Sequence, residues 1–157
     1  PEILITKRAT LIICPENTNR LMDRIFIDTD IALDLLSERL PHYSYAAQLF
    51  TMADKEKLSL YVSSLSFSNL NYLLSRQYSQ KEARRILNKF KVLVNVLGVD
   101  EKIIDLSLNS EFRDFEDAIQ YYTAIENNIA TLITRNLKDY KHASITIITA
   151  EDYLLSP

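Results

Sequence analysis

One glycine, Gly98, serves the whole 157-residue chain. Backbone amides wrap a phosphate only where the chain takes positive φ with no Cβ in the way. Neither a P-loop nor a glycine-rich dinucleotide turn can therefore be written in this sequence. Cysteine is as scarce: Cys14 stands alone and can close no internal disulfide, which points to a reducing cytoplasm. Only two histidines are present, His42 and His142, far apart in the chain, so a zinc site lacks its usual nitrogen and sulfur ligands. Neither histidine has a serine or cysteine in a nucleophile context, which argues against a hydrolase triad. Long apolar runs are missing too; none approaches the roughly 20 residues needed to cross a bilayer, and no membrane association is expected. The apolar stretch Ala9 to Cys14 is too short for the core of a secretory signal.

What is present is ordinary globular composition, 47% hydrophobic and 25% charged, at a length that buries a core without disulfides or a structural metal. The net charge of −3 gives no global field to attract a polyanion. Charge is nevertheless segregated. Arg76, Lys81, Arg84, Arg85, Lys89 and Lys91 form a basic run opposed only by Glu82, while acids concentrate between Glu111 and Glu126. The basic run reads either as a solvated helix face or as a strip for RNA phosphates or an acidic partner.

Residues 1–21 read as an N-terminal extension, non-native or partly disordered. A polar break at Pro15 to Asn19 precedes Met22, which has the position of a natural start; Leu11–Cys14 could pair at a sheet edge. From Arg24 onward, within a domain over 22–157, short apolar runs alternate with helical patterns. Strands are expected at Ile25–Ile27, Leu58–Val62, Val92–Val96, Ala130–Thr134 and Ile145–Ile148. Helices are expected at Ile31–Arg39, Tyr45–Lys57, Ser64–Arg76, from Ser79 to about Phe90, Glu101–Leu108, Asp114–Asn127 and Ala150–Leu155. Ser79 with Glu82 three residues on has the form of a capping box. This alternation predicts a three-layer α/β/α fold with a mostly parallel central sheet of four to five strands. Such sheets bind ligands outside the carboxyl ends of their strands.

Acids stand at those ends. Asp28 follows the first strand and Asp30 lies two residues on; Asp114 opens a helix and Asp117 follows one turn later on nearly the same face. Helix capping alone accounts for any one of them. Together they repel unless a cation neutralises them, and hard oxygen ligands favour Mg²⁺ or Mn²⁺. Such ions activate water and neutralise the charge of a phosphoryl transition state.

Three segments carry a resemblance to a known family. Phe26-Ile27-Asp28-Thr29-Asp30-Ile31-Ala32-Leu33-Asp34-Leu35-Leu36 resembles the first motif of PIN domains, a strand ending in Asp-Thr-Asn before an apolar helix. Asp114-Phe115-Glu116-Asp117-Ala118-Ile119-Gln120 is similar to the family's acidic helix start. Thr131-Leu132-Ile133-Thr134-Arg135-Asn136-Leu137-Lys138-Asp139-Tyr140 is similar to its last motif. The first alone is weak; the three in order, over Arg24 to Leu154, are strong. The resemblance implies a VapC-like toxin endoribonuclease that binds one or two Mg²⁺ or Mn²⁺ ions and hydrolyses RNA phosphodiester bonds. A cognate antitoxin protein and a homodimer are implied as partners. By analogy Asp28 is the central metal ligand and Asp117 its partner. Asp114 binds or orients through water, and Asn136, with Asp139, completes the cluster. Thr29 and Thr134 place hydroxyls near Asp28, and Arg135 is a candidate phosphate contact, or else a surface salt bridge.

The sequence also departs from the pattern. In Ser63-Ser64-Leu65-Ser66-Phe67-Ser68-Asn69, Asn69 occupies the place where the family commonly carries Glu, and a neutral amide lowers affinity for a cation. Asp30 replaces the usual Asn, and Asn136 stands where another acid is found. A weakened domain that binds RNA or a partner without cutting is therefore the alternative. A phosphoacceptor receiver domain also gathers acids at strand ends, but it needs a Lys after a late strand where this chain has Arg135.

Overall fold

The computed structural model describes residues 22–156. The expectations for residues 1–21, including edge pairing by Leu11–Cys14, lie outside the described residues. Five strands, β1 (Asp23–Ile27), β2 (Leu58–Ser63), β3 (Asn95–Leu97), β4 (Thr131–Ile133) and β5 (Thr146–Ile148), pair in the order β3-β2-β1-β4-β5. Every pairing is parallel. The helices are α1 (Thr29–Leu36), α2 (Tyr43–Asp54), α3 (Ser64–Gln77), α4 (Gln80–Phe90), α5 (Glu101–Leu108), α6 (Phe115–Glu126) and α7 (Ala150–Leu155), with a short 3₁₀ helix at Leu137–Tyr140. Among them, no helix is long and apolar enough to cross a membrane.

Side-chain alternation divides the core. Ile25 and Ile27 of β1 face one side with Ile31, Leu49, Leu70, Leu74, Leu87 and Phe90 from α1 to α4. Phe26 faces the other side with Tyr121 and Ala124 of α6, Ile129 and Tyr140. Successive residues of a strand point to opposite faces, and here both faces are covered over the second half of β1, so Ile25–Ile27 reads as an unbroken apolar run. The result is the three-layer α/β/α sandwich expected from the sequence.

Several element boundaries shift by a few residues from expectation, and two of the shifts have a visible cause. The third strand begins at Asn95 rather than Val92, because Val92 and Leu93 donate backbone hydrogen bonds to Lys89 and Phe90 and close a turn after α4. The first helix stops at Leu36 rather than Arg39: Glu38 takes a left-handed conformation, φ 49°, and the chain turns back on itself. The capping box before α4 forms by half. Ser79 Oγ accepts from Glu82 N, while the Glu82 carboxylate turns to Arg85.

The topology decides where a site can be. From β1 the chain goes to β2 on one side and later returns to β4 on the other. Connections leaving in opposite directions open a crevice at the carboxyl end of β1, the topological switch point. Asp28 is the first residue past that end.

Candidate active site

Asp28 has two local tasks before any chemistry. Its extended backbone ends β1, its N–H donates to Ile133 O of β4, and its side chain caps α1 by accepting from Asp30 N at 3.3 Å. Two further donors come from distant segments. Thr134 Oγ1, just past β4, donates to Oδ2 at 2.7 Å, and Gln120 Nε2 of α6 donates to Oδ1 at 3.1 Å. Gln120 Oε1 in turn accepts from Thr29 N at 3.2 Å, so its amide is oriented by contacts at both ends. Three elements thus fix one carboxylate that is only 6% exposed. Burial still raises its affinity for a proton, against the lowering effect of the Thr134 and Gln120 hydrogen bonds.

Asp117 meets Asp28 from α6. Asp114 caps that helix, its Oδ1 accepting from Glu116 N at 2.8 Å and Asp117 N at 3.2 Å. One turn of helix then carries Asp117 inward to 8% exposure, where Tyr140 Oη donates to its Oδ1 at 3.2 Å. Its pKa is pushed up to about 7, first by burial and then by the charges of Asp28 and Asp114. A carboxyl group that burial, and then the carboxylates facing it, hold toward its protonated form is a group that a cation would satisfy. These side chains line a cleft of about 370 Å³ with Thr29, Asp30, Asn69, Tyr72, Leu73, Glu116, Gln120 and Asn136.

The PIN domain family matches residues 24–138. The chain belongs to the PIN-domain family. It is similar to Ribonuclease VapC1 of Aquifex aeolicus (strain VF5), 27% identical over 139 residues that cover 83% of this chain and 93% of that protein. Among solved structures it resembles Mycobacterium tuberculosis VapC20, a sarcin-ricin loop cleaving toxin, with a TM-score of 0.62 and 17% identity over 78% of this chain and 96% of that one. It also resembles a chain of a toxin–antitoxin complex from Klebsiella pneumoniae, with a TM-score of 0.60 and 23% identity over 80% and 97% of the two chains. At these identities the solved structures speak for the PIN fold alone.

Most residues singled out from the PIN motifs do converge. Asp28, Asp114, Asp117, Asn136, Thr29, Asp30 and Asn69 line the one cleft, and Thr134 reaches it through its bond to Asp28. Three expectations need correction in detail. The Thr29 hydroxyl makes no hydrogen bond to Asp28; it donates to Glu116 Oε1 at 2.8 Å and lies 3.0 Å from Ser66 Oγ. Asp139 is not in the cleft. It accepts from Asn136 Nδ2, thereby tethering that residue, and lines a neighbouring hollow with Glu111, Arg113, Lys138, Lys141 and His142. Arg135 is no free phosphate contact. Its Nη2 lies 3.0 Å from Asp30 Oδ1 and its Nη1 3.4 Å from Asp34 Oδ1, because the buried Asp34 carboxylate draws the cation inward.

Sequence reasoning missed Gln120, Tyr140, Glu116 and Asp34 as members of this network. Gln120 follows Asp117 by one helical turn and Asp34 follows Asp30 by one turn, so both were on the faces that the motifs marked. Tyr140 closes the last motif, and nothing in its spacing announces a bond to Asp117.

Oxygen donors line the cleft among the described residues, with no sulfur or imidazole. Among the described residues, no three His, Cys, Asp or Glu side chains are drawn close enough to enclose an ion. The cleft offers instead a buried pair, Asp28 and Asp117, with the exposed Asp114 at its edge and the amides of Asn69 and Asn136 beside it. That set fits Mg²⁺ or Mn²⁺, which commonly take one or two carboxylates and keep several waters.

Proposed function

We propose that this PIN domain is a divalent-metal-dependent endoribonuclease, hydrolysing RNA phosphodiester bonds in the cytoplasm as the toxin of a toxin–antitoxin pair. The observation that carries the reading is the carboxyl pair Asp28 and Asp117, buried in one cleft, where burial and the charge of Asp28 raise the proton affinity of Asp117. The similarity to Ribonuclease VapC1 supports the choice of RNA. Solved structures with the same fold include VapBC2 from Rickettsia felis and VapBC from Salmonella typhimurium, both bound to DNA, which supports a protein antitoxin as partner. A homodimer completes the assembly proposed.

Asp28 and Asp117 would hold the ion, Mg²⁺ or Mn²⁺, with Asp114 and Asn136 orienting its water ligands. When bound, it supplies the charge that phosphodiester hydrolysis needs and the acidity that makes water a nucleophile at neutral pH. The chain's own residues do the rest. Thr134 and Gln120 hold the Asp28 carboxylate in one rotamer, so no reorganisation is needed as charge develops. Tyr140 does the same for Asp117, and Asp139 anchors the Asn136 amide. Arg135 locks the turn after β4 against α1 through Asp30 and Asp34, which keeps Thr134 within reach of Asp28.

The test is cleavage of a single-stranded RNA by the purified chain in Mn²⁺ or Mg²⁺. Cleavage that stops with EDTA and in the Asp28→Asn variant is the expected result. Equal cleavage by Asp28→Asn removes the proposal. Asn69 lining the cleft favours a second reading, a weakened domain that binds RNA without cutting it. RNA binding without cleavage in the wild type, with cleavage gained in Asn69→Glu, would select it.

A further inference from the structure

An acid-lined cleft is poor ground for a polyanion unless its rim holds positive charge and something a base can lie on. Helix α3 supplies both at one point. Tyr72 lines the cleft beside Asn69 and Leu73, and its side chain is 60% exposed. By contrast, Tyr121 and Tyr140 are 6% and 3% exposed. Arg76, four residues on, lies over the Tyr72 ring with its guanidinium carbon 5.6 Å from the centroid, and its Nη1 donates to the Tyr72 hydroxyl at 3.0 Å. The i,i+4 spacing makes the pair a local device: the cation orients the ring without burying it. Arg76 also opens the basic run. Lys81, Arg84 and Arg85 continue it on α4, which packs against α3, and line a broad hollow with Gln80, Glu82 and Asn88; Arg85 is paired with Glu82, which leaves Lys81 and Arg84 as the cations of this stretch not engaged by it.

We propose that Tyr72, oriented by Arg76, is a stacking platform for one unpaired nucleobase of a single-stranded RNA whose adjoining phosphate lies over the Asp28–Asp117 cleft. The strand then leaves along the basic face of α4. This rests on the nuclease reading for its substrate. An exposed ring accepts the face of a splayed base regardless of base identity, whereas bases within a duplex already have their faces covered. A row of cations leading away from the ring matches a phosphate backbone. An acidic peptide would be satisfied by the cations and has no use for a ring at the mouth of the acid cleft.

The chain contains no tryptophan, so Tyr72→Trp places a single fluorophore on the platform. Titration of the full chain in an Asp28→Asn background, which keeps RNA intact, should quench this emission with a single-stranded oligoribonucleotide and leave it unchanged with the same strand in a duplex. In that background Tyr72→Ala should weaken single-strand binding roughly five- to 150-fold, the range expected for one lost base stack, while Tyr72→Phe stays within about threefold. In otherwise wild-type protein Tyr72→Ala should raise KM far more than it lowers kcat. Unchanged RNA affinity in Tyr72→Ala, or equal quenching by duplex, overturns the platform and leaves the nuclease standing. Quenching that follows protein concentration, or an acidic peptide, with no response to RNA assigns the ring to a protein interface instead. Absence of any RNA binding or cleavage overturns both proposals together.

Discussion

Asp117 carries a cost in stability that its proposed role in the cleft would explain. Its folded pKa of about 7 stands above the value near 4 of an unfolded chain. Between those values the folded state binds more protons, so this group's contribution to stability falls as pH rises through the window. Asp117→Asn keeps an acceptor for Tyr140 and removes the charge. In EDTA at pH 8 the variant should melt no lower than wild type, while losing most of its divalent-ion affinity and RNA cleavage. Thermal scans at pH 5 and pH 8 check the first part and calorimetric titration with Mn²⁺ the second; a large loss of stability would make Asp117 a structural residue. The Asp residues of the cleft were legible because motif spacing named them. The hydrogen bonds that fix them were not: Gln120 and Thr134 reach Asp28 across 92 and 106 residues of chain, and no local pattern encodes such contacts.

At the level of elements, helix ends do much of the positioning. Asp28 caps α1, Asp114 caps α6, Ser79 caps α4, and in the first two the cap is also part of the cleft. Capping and ligand chemistry compete for the same carboxylates in a sequence reading, and in this fold one side chain can cap a helix and line the cleft at once. Ser79→Ala, remote from the cleft, should cost about 1 kcal/mol by urea melting with unchanged activity, as expected for loss of a cap. The turn after β4 depends on a different device. Asp34 is fully buried, its carboxylate oxygens make no hydrogen bond within the protein, and Arg135 and Arg39 are its charge partners. Arg135→Met should therefore cost about 2 kcal/mol. That is less than the ~3–5 of a fully buried pair because Arg39 remains 3.9 Å from Asp34. Arg39→Met, at the more exposed member, should cost less than Arg135→Met. A larger effect of Arg39→Met would reassign the anchor.

Over the whole molecule, the proposed ion site would couple folding to the ion through the carboxyl pair. A ligand that binds only the folded state stabilises it by about 2.7 kcal/mol at a hundredfold excess over its Kd. For a chain of this size that is roughly 5–10 °C in Tm. Wild-type protein in saturating Mn²⁺ should gain about that much at pH 8, less at pH 5 where protons compete for Asp117, and nothing in Asp28→Asn. Differential scanning calorimetry reads all three; an equal gain in Asp28→Asn would place the ion elsewhere.

The sequence by itself determined the alternation of strands and helices, the apolar Ile25–Ile27 run of β1 that must lie buried between two layers, and the carboxylates stationed at strand and helix ends. These follow from period and local chemistry, which act over a few residues. Only the tertiary structure decided which hydroxyl holds Asp28, that Thr29 serves Glu116 instead, that Arg135 turns inward to Asp34 and that Tyr72 stands exposed at the cleft. Each of those outcomes is a choice among partners far apart in the chain, made by burial: a charge or hydroxyl removed from water takes the partner the packing brings to it.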